Sequence, residues 1–252
     1  YVCEHPCEMS CRRHFVDDGI SICGLKRYAA DHCTEELIPK KAEPTGKKVA
    51  VVGGGPGGLT AAYFLTLMGH EVTVYDQRRK LGGMLRYGIP DYRLPEDVLD
   101  RDIDFILNAG IKTVMHVSVG KDIALDELKN SYDAVYISIG AHEDKKLHIE
   151  GEDSINVIPA VEMLRDMGKG KRYDLSGKKV CVIGGGNVAM DAVRTSLRLG
   201  ASVDCVYRRR VDDMTALREE IDEAQAEGAN ILTLKAPAYI EADEEGKVKA
   251  LW

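Results

Sequence analysis

No apolar run in this 252-residue chain approaches the roughly 20 residues that cross a bilayer, so no intramembrane part is expected. An excess of positive charge is also missing. The formal net charge of −7 argues against a nucleic-acid surface. The chain opens at Tyr1 without an initiator Met, a basic leader or an apolar signal core, and so reads as a processed or excised piece of a cytoplasmic protein. Its seven cysteines are odd in number and five of them fall within the first 33 residues, which fits an extracellular disulfide scaffold poorly. After Gly53 there is no Cys-x-x-Cys or Cys-x4-Cys pair of the kind a flavin disulfide reductase needs. What the chain does have is glycine, 25 residues of it, well above the average near 7% and suited to backbone that must approach a ligand closely.

Much of that glycine sits in two loops of the same chemistry. Gly53-Gly54-Gly55-Pro56-Gly57-Gly58 and Gly184-Gly185-Gly186-Asn187-Val188-Ala189 each follow a short apolar run and precede a helical stretch. Around the first, the spacing predicts a strand at Val49–Val52, a helix at Leu59–Leu67, a strand at Glu71–Asp76 and a helix over Pro95–Ala109. Strands over Lys112–Val117 and Ala134–Ile139 and a short helix at Leu125–Asn130 complete this half. A helix at Val157–Met167 leads to the second half, with a strand at Val180–Ile183, a helix at Val188–Leu199 and a strand at Val203–Tyr207. A helix over Thr215–Glu227 and a strand at Ala229–Leu234 follow. The fold class expected is α/β, with two Rossmann-like dinucleotide-binding units preceded by a mainly helical cysteine-rich segment. The divisions fall at 1–42, 43–150 and 151–252, with Lys40–Gly46 as a linker.

In the first loop Gly53 suits the tight turn, Gly55 the approach of a pyrophosphate, and Gly58 close helix–strand packing. Pro56 and Gly57 open the helix whose free amides attract phosphate. Asp76, 23 residues beyond Gly53, is placed to accept hydrogen bonds from a ribose diol. The glycines alone are equally compatible with a turn that binds nothing, and it is their place between strand and helix that favours a dinucleotide. The second loop keeps Gly184 and Gly186 but has Ala189 for the third glycine, which the fingerprint tolerates. Its second strand ends in Tyr207-Arg208-Arg209-Arg210 instead of an acid. Guanidinium groups there grip a 2′-phosphate that a carboxylate would repel, so Arg208 and Arg209 point to NADP(H) over NAD(H), the alternative being a solvated basic run.

Taken with the stretch Gly82-Gly83-Met84-Leu85-Arg86-Tyr87-Gly88-Ile89-Pro90-Asp91-Tyr92-Arg93-Leu94-Pro95, the two loops and the arginines resemble the glutamate synthase small-subunit family over essentially the whole chain. That family includes related flavin, iron–sulfur and pyridine-nucleotide subunits and the N-terminal part of dihydropyrimidine dehydrogenases. The resemblance implies FAD in the first unit, lined by Gly82, Gly83, Met84, Arg86 and Tyr87. Ser138-Ile139-Gly140 corresponds to the strand end where the chain leaves the FAD domain, and Gly140 is assigned to the cofactor there. The resemblance also makes Arg93 a candidate for orienting loops near the flavin, against the alternative of a surface ion pair. The family's Met-Pro-Ala is Met214-Thr215-Ala216 here, and Thr215 is expected to cap the following helix where Pro would have started it.

Cys3, Cys7 and Cys11 recur every four residues, a stripe on a helix or a wrap around a compact inorganic core, and thiolates suit iron–sulfur clusters or zinc. The family resemblance implies ligands shared between two [4Fe-4S] clusters, with further cysteines expected upstream of Tyr1. Cys23 is a possible additional ligand and Cys33 a weaker one, whereas Cys181 and Cys205 read as small buried hydrophobes inside strands. The resulting expectation is an NAD(P)H:acceptor oxidoreductase whose electrons pass from NADPH through FAD and clusters to a partner subunit or fused domain. No acid–base residue is demanded. The alternatives are a flavin disulfide reductase and a nucleotide-binding relay without turnover.

Overall fold

The computed structural model describes residues 1–33 and 39–252; residues 34–38 of the cysteine-rich segment lie outside the described part. That segment holds helix α1 (Pro6–Met9), a 3-10 turn (Arg12–Phe15) and helix α2 (Ile22–His32), none of which contains a buried residue. Too small to enclose its own core, it leans on a neighbour. Tyr1 and Val2 pack against the core of the first nucleotide unit, and the Arg27 guanidinium lies 3.8 Å over the Tyr1 ring.

The first unit runs β1 (Lys48–Val52), α3 (Pro56–Leu67), β2 (Glu71–Asp76), α4 (Met84–Tyr87), α5 (Glu96–Leu107), β3 (Lys112–Met115), α6 (Leu125–Ser131) and β4 (Ala134–Ile137). Its strands form a parallel sheet in the order β3-β2-β1-β4. The continuous apolar run of β1 is explained by burial on both faces. Val49 and Val51 join Leu59, Ala62, Leu99 and Ile103 on one side, while Ala50 and Val52 meet Leu128 on the other. β3 and β4 each stop two residues before the expected end. His116 takes φ 60°, and the chain after Ile137 turns its Ser138 carbonyl onto the first glycine loop.

The second unit comprises α7 (Ala160–Gly168), β5 (Lys179–Ile183), α8 (Asn187–Arg198), β6 (Ser202–Tyr207), α9 (Arg218–Ala226) and β7 (Asn230–Thr233), with a parallel sheet ordered β5-β6-β7. α7 begins three residues later than expected because Pro159 occupies its N-cap. α8 and α9 cover one sheet face, burying Val182, Val203 and Cys205 against Met190, Val193, Ile221 and Ala224. On the opposite face Val206 is buried but Cys181 and its strand neighbour Asp204 are exposed, which corrects the expectation for Cys181, while Cys205 is fully buried and its thiol is pushed up to about 11 by burial.

An antiparallel hairpin of β8 (Ile240–Ala242) and β9 (Val248–Leu251) closes the chain and was not expected, although Asp243 to Gly246 is a turn-forming sequence. It docks on the connector between the units. Ile240 N donates to Glu150 O at 2.8 Å and Val248 N to Ile155 O at 2.9 Å. Among the described residues no helix is long and apolar enough to cross a membrane.

Candidate functional site

The first glycine loop joins β1 to α3 and owes its shape to two contacts. Gly53 has φ 108°, and a side chain there would drive into the Ser138 carbonyl, while a Cβ on Gly58 would strike the Gly53 carbonyl oxygen. Gly55 is different. It is extended backbone at the N-cap of α3, and the nearest atom to a Cβ there is Gly83 Cα at 3.7 Å, so one side of the loop is left open. Asp76 is buried beside the loop, accepting Gly54 N–H at 2.7 Å and Arg78 N–H at 2.7 Å. A carboxylate has lone pairs left after those two bonds, so Asp76 retains capacity for a ribose diol. Together these features make a cradle that fits a dinucleotide pyrophosphate at the start of α3.

Gly82 and Gly83 form the opposite wall. Gly82 N donates to Gly54 O at 2.8 Å, and a Cβ on Gly83 would come 2.7 Å from Gly55 Cα. Met84 starts the short helix behind them and lies half-buried, its methyl against Gly88. Arg86 is buried, with its guanidinium committed to the Leu81 carbonyl at 2.7 Å, to Glu96 at 2.9 Å and to Asp100. Tyr87 is buried too, its hydroxyl bonded to Lys80 N at 3.1 Å. Both side chains thus hold the wall's shape from behind. Gly140, with φ 71°, lies just beyond β4, two residues after the Ser138 that presses on Gly53.

The second loop repeats the plan. Gly184 has φ 147°, Gly186 caps α8, and Ala189 is buried where a third glycine would lie, 3.2 Å from the position of a Cβ on Gly184. The Gly185 carbonyl accepts the amides of Thr215 and Ala216 at 2.9 and 3.0 Å, which folds the Met214–Leu217 stretch over the loop. This overturns the expectation for Thr215. α9 begins only at Arg218, with Leu217 at its N-cap and no side-chain cap bond, because residues 215 and 216 are spent on Gly185. Asn187 ties three parts together: its Oδ1 accepts Leu217 N–H at 3.0 Å and its Nδ2 donates to Glu4 of the cysteine segment at 2.8 Å. Val188, next to it, is exposed. Arg208 and Arg209 follow β6, exposed and without an ion pair among the described residues, whereas Arg210 is bound to Asp213 at 3.1 Å.

A network that periodicity did not announce joins the two units. Arg93 donates to both oxygens of Asp191 at 2.8 and 2.9 Å and lies 3.0 Å from Glu220, with all three side chains nearly buried. It is therefore not a surface pair. Arg194 holds Glu220 and Glu227, Arg198 shares Glu227 at 2.7 Å, and the Tyr92 ring lies 3.7 Å under Arg198. Burial raises the Asp191 carboxyl from its ordinary value while Arg93 works in the opposite direction. Asp191, Arg194, Thr195 and Arg198 do share one face of α8 at helical spacing. Such a polar stripe ordinarily faces water, and here α9 and the Tyr92–Arg93 turn cover it.

Cys3 and Cys7 are exposed and Cys11 is half-buried, spread from before α1 to just after it instead of forming a helical stripe. Among the described residues no three His, Cys, Asp or Glu side chains gather into a metal-binding set, so these thiols by themselves do not complete a cluster site. Beyond Gly53 the only cysteines are Cys181 and Cys205, on neighbouring strands but opposite faces of the second sheet. They cannot act as a dithiol beside the first loop.

Residues 47–251 match the model of the pyridine nucleotide-disulphide oxidoreductase family. The chain is 40% identical over 277 aligned positions to the NADP(+)-dependent formate dehydrogenase subunit beta of Moorella thermoacetica, an alignment covering 99% of this chain and 39% of that protein. It is 36% identical to the glutamate synthase [NADPH] small chain of Escherichia coli, covering 97% of this chain and 55% of the relative. It thus spans well under two thirds of the length of these curated relatives. Mycobacterium tuberculosis FprA in complex with NADPH shares the fold, with a TM-score of 0.67 at 21% identity over 83% of this chain and 67% of that one. Two glycine-loop βαβ units in tandem, matched through nearly their full extent, place this chain in the pyridine nucleotide-disulphide oxidoreductase family, among relatives that include glutamate synthase small chains and NADPH oxidoreductase subunits.

Proposed function

We propose that this chain is the electron-entry part of an NADPH-dependent flavoprotein oxidoreductase, with FAD held by residues 43–150 and NADPH by residues 151–252. The observation that carries the reading is the contrast between two similar loops: a buried acid, Asp76, beside the first and two exposed arginines, Arg208 and Arg209, without an ion pair among the described residues, beside the second. The chemistry FAD supplies when bound is conversion of a hydride from NADPH into two single electrons. The chain's own residues bind and orient. Gly53, Gly55, Pro56, Gly57 and Gly58 receive one pyrophosphate and Asp76 its ribose. Gly82, Gly83 and Met84 wall the flavin, Arg86 and Tyr87 brace that wall, and Gly140 lies at the strand end beside it. Gly184, Gly186, Asn187, Val188 and Ala189 receive the second pyrophosphate.

The relatives from Moorella thermoacetica and Escherichia coli are named as NADP- or NADPH-dependent subunits, which supports the choice of NADPH and of a partner redox subunit or fused domain as electron acceptor. On the same reading the segment 1–42 gives Cys3, Cys7 and Cys11 to [4Fe-4S] clusters in a cytoplasmic protein. Their spacing and their position outside any core support this. Steady-state kinetics of Arg209→Ala provides the test. A charge-assisted pair to the 2′-phosphate contributes about 1.5 to 3 kcal/mol, so kcat/KM for NADPH should fall roughly 10- to 100-fold while that for NADH barely changes. Equal loss with both nucleotides, or a wild-type preference for NADH, would reject the assignment.

A further inference from the structure

The stretch from Gly82 to Pro95 touches the first nucleotide loop and the helix α8 that follows the second. Its first residues line the Gly53–Gly58 loop, where Gly82 N binds Gly54 O at 2.8 Å. Its last residues reach the other unit. Arg93 seats both oxygens of Asp191, five residues beyond the Gly186 that caps α8, and its Nε lies 3.0 Å from Glu220 on α9. Beside it Tyr92 lies flat against the guanidinium of Arg198, itself on α8. Between these ends α7 packs on the limb so closely that a Cβ on Gly168 would come 2.8 Å from the Arg86 carbonyl oxygen. One short limb therefore runs from the first loop to the helix that starts at the second.

From this geometry we infer that Arg93 and Asp191 are a positioning pair that fixes the separation and angle between the two bound dinucleotides. Nη1 of Arg93 spans both oxygens of Asp191 while Nε lies against Glu220, so the planar guanidinium is held at two of its edges and its direction is set as well as its distance, which a single ammonium contact would not do. Burial sharpens this, since the side chains of Arg93 and Asp191 are only 12% and 6% exposed and cannot exchange the contact for water. α8 starts at the phosphate loop, so a change in its orientation is carried directly to whatever that loop holds. The inference rests on the reading of FAD in the first unit and NADPH in the second. Neither residue is assigned contact with a reacting atom.

The test uses the intact protein with bound flavin and two conservative variants, Arg93→Lys and Asp191→Asn, measured per bound flavin. Flavin content and NADPH affinity should stay close to wild type. Stopped-flow reduction of the flavin by NADPH should slow about 10- to 100-fold, the range that misplacement of reactants by an ångström or so produces. The long-wavelength charge-transfer absorbance that reports stacking of nicotinamide on flavin should weaken in parallel. The Arg93→Lys, Asp191→Asn double variant should be no slower than the slower single one. Wild-type rate and absorbance in both variants, with only a lowered melting temperature, would make the pair a structural one and overturn the inference. Loss of flavin from both variants would overturn it as well, because the pair would then serve the first unit's own fold. A wild-type protein that NADPH does not reduce would instead bring down the underlying reading, and the inference with it.

Discussion

Individual glycines in this chain carry separable duties, and substitutions can tell them apart. Gly58 touches the Gly53 carbonyl, so Gly58→Val forces helix α3 away from β1 and should destabilise the protein by about 1 to 3 kcal/mol or more, as overpacking does. Gly55 lies in extended backbone with open space beside it. Gly55→Leu should therefore leave the melting temperature of the flavin-free protein nearly unchanged while abolishing flavin retention, because the side chain fills the space proposed for the pyrophosphate. Yellow colour surviving purification of Gly55→Leu would reject FAD at that loop. Arg86 behaves differently from either. Its nearly buried side chain satisfies the Leu81 carbonyl and reaches two exposed carboxylates, so Arg86→Ala should cost about 1 to 3 kcal/mol, mainly through the unsatisfied carbonyl and lost packing, read as a fall in denaturant midpoint.

At the scale of elements, α8 and α9 are held together by charge as much as by apolar packing. Glu227, at the C-terminus of α9, is bound by Arg198 and Arg194 of α8, and those contacts hold its carboxyl down at about 2. The folded value lies below the ordinary carboxylate range. Its contribution to stability is thus fully present above about pH 4.5 and is lost as the pH falls toward 2. Glu227→Gln should accordingly lower stability at pH 7 by about 1 to 2 kcal/mol, discounted for its partial exposure, and by progressively less as the pH is taken down toward 2. A stability difference that stays constant from pH 7 to pH 2.5, measured by urea titration, would show that the pairs do not act this way. The same helices explain why Arg93 finds a buried partner: the apolar side of α8 is spent on the sheet, and its polar side is roofed by α9 and the limb from the first unit.

For the molecule as a whole, the cysteine segment is the part least able to stand alone. Among the described residues it has no buried helix residue, and its contacts with the rest include Tyr1, Val2, the His5–Glu219 contact and the Glu4–Asn187 bond. The last of these connects it to the loop proposed for NADPH. If Cys3, Cys7 and Cys11 serve [4Fe-4S] clusters together with ligands from elsewhere, the anaerobically purified intact protein should contain iron and sulfide. Its dithionite-reduced EPR signal should then change in Cys7→Ala. Zinc in place of iron, or an unaltered signal in that variant, would remove the cluster proposal while leaving the two nucleotide units untouched.

The sequence by itself determined both βαβ units and the difference between them. A strand, a glycine turn and a helix lie within a few residues of one another, so the steric demand at Gly53 or Gly184 is met locally and is legible in local spacing. The acid at Asp76 and the bases at Arg208 and Arg209 follow from the same local rule, since each ends the strand next to its loop. Tertiary structure alone decided the rest. Cys181 is exposed because helices cover only one face of the second sheet, a fact no pattern within β5 records. Thr215 lost its expected capping role to a carbonyl thirty residues earlier in the chain, at Gly185. Arg93 and Asp191 are 98 residues apart, and each looks like a solvated charge in its own segment. Only the packing of one unit on the other withdraws both from water, and a charge withdrawn from water must find its counter-ion.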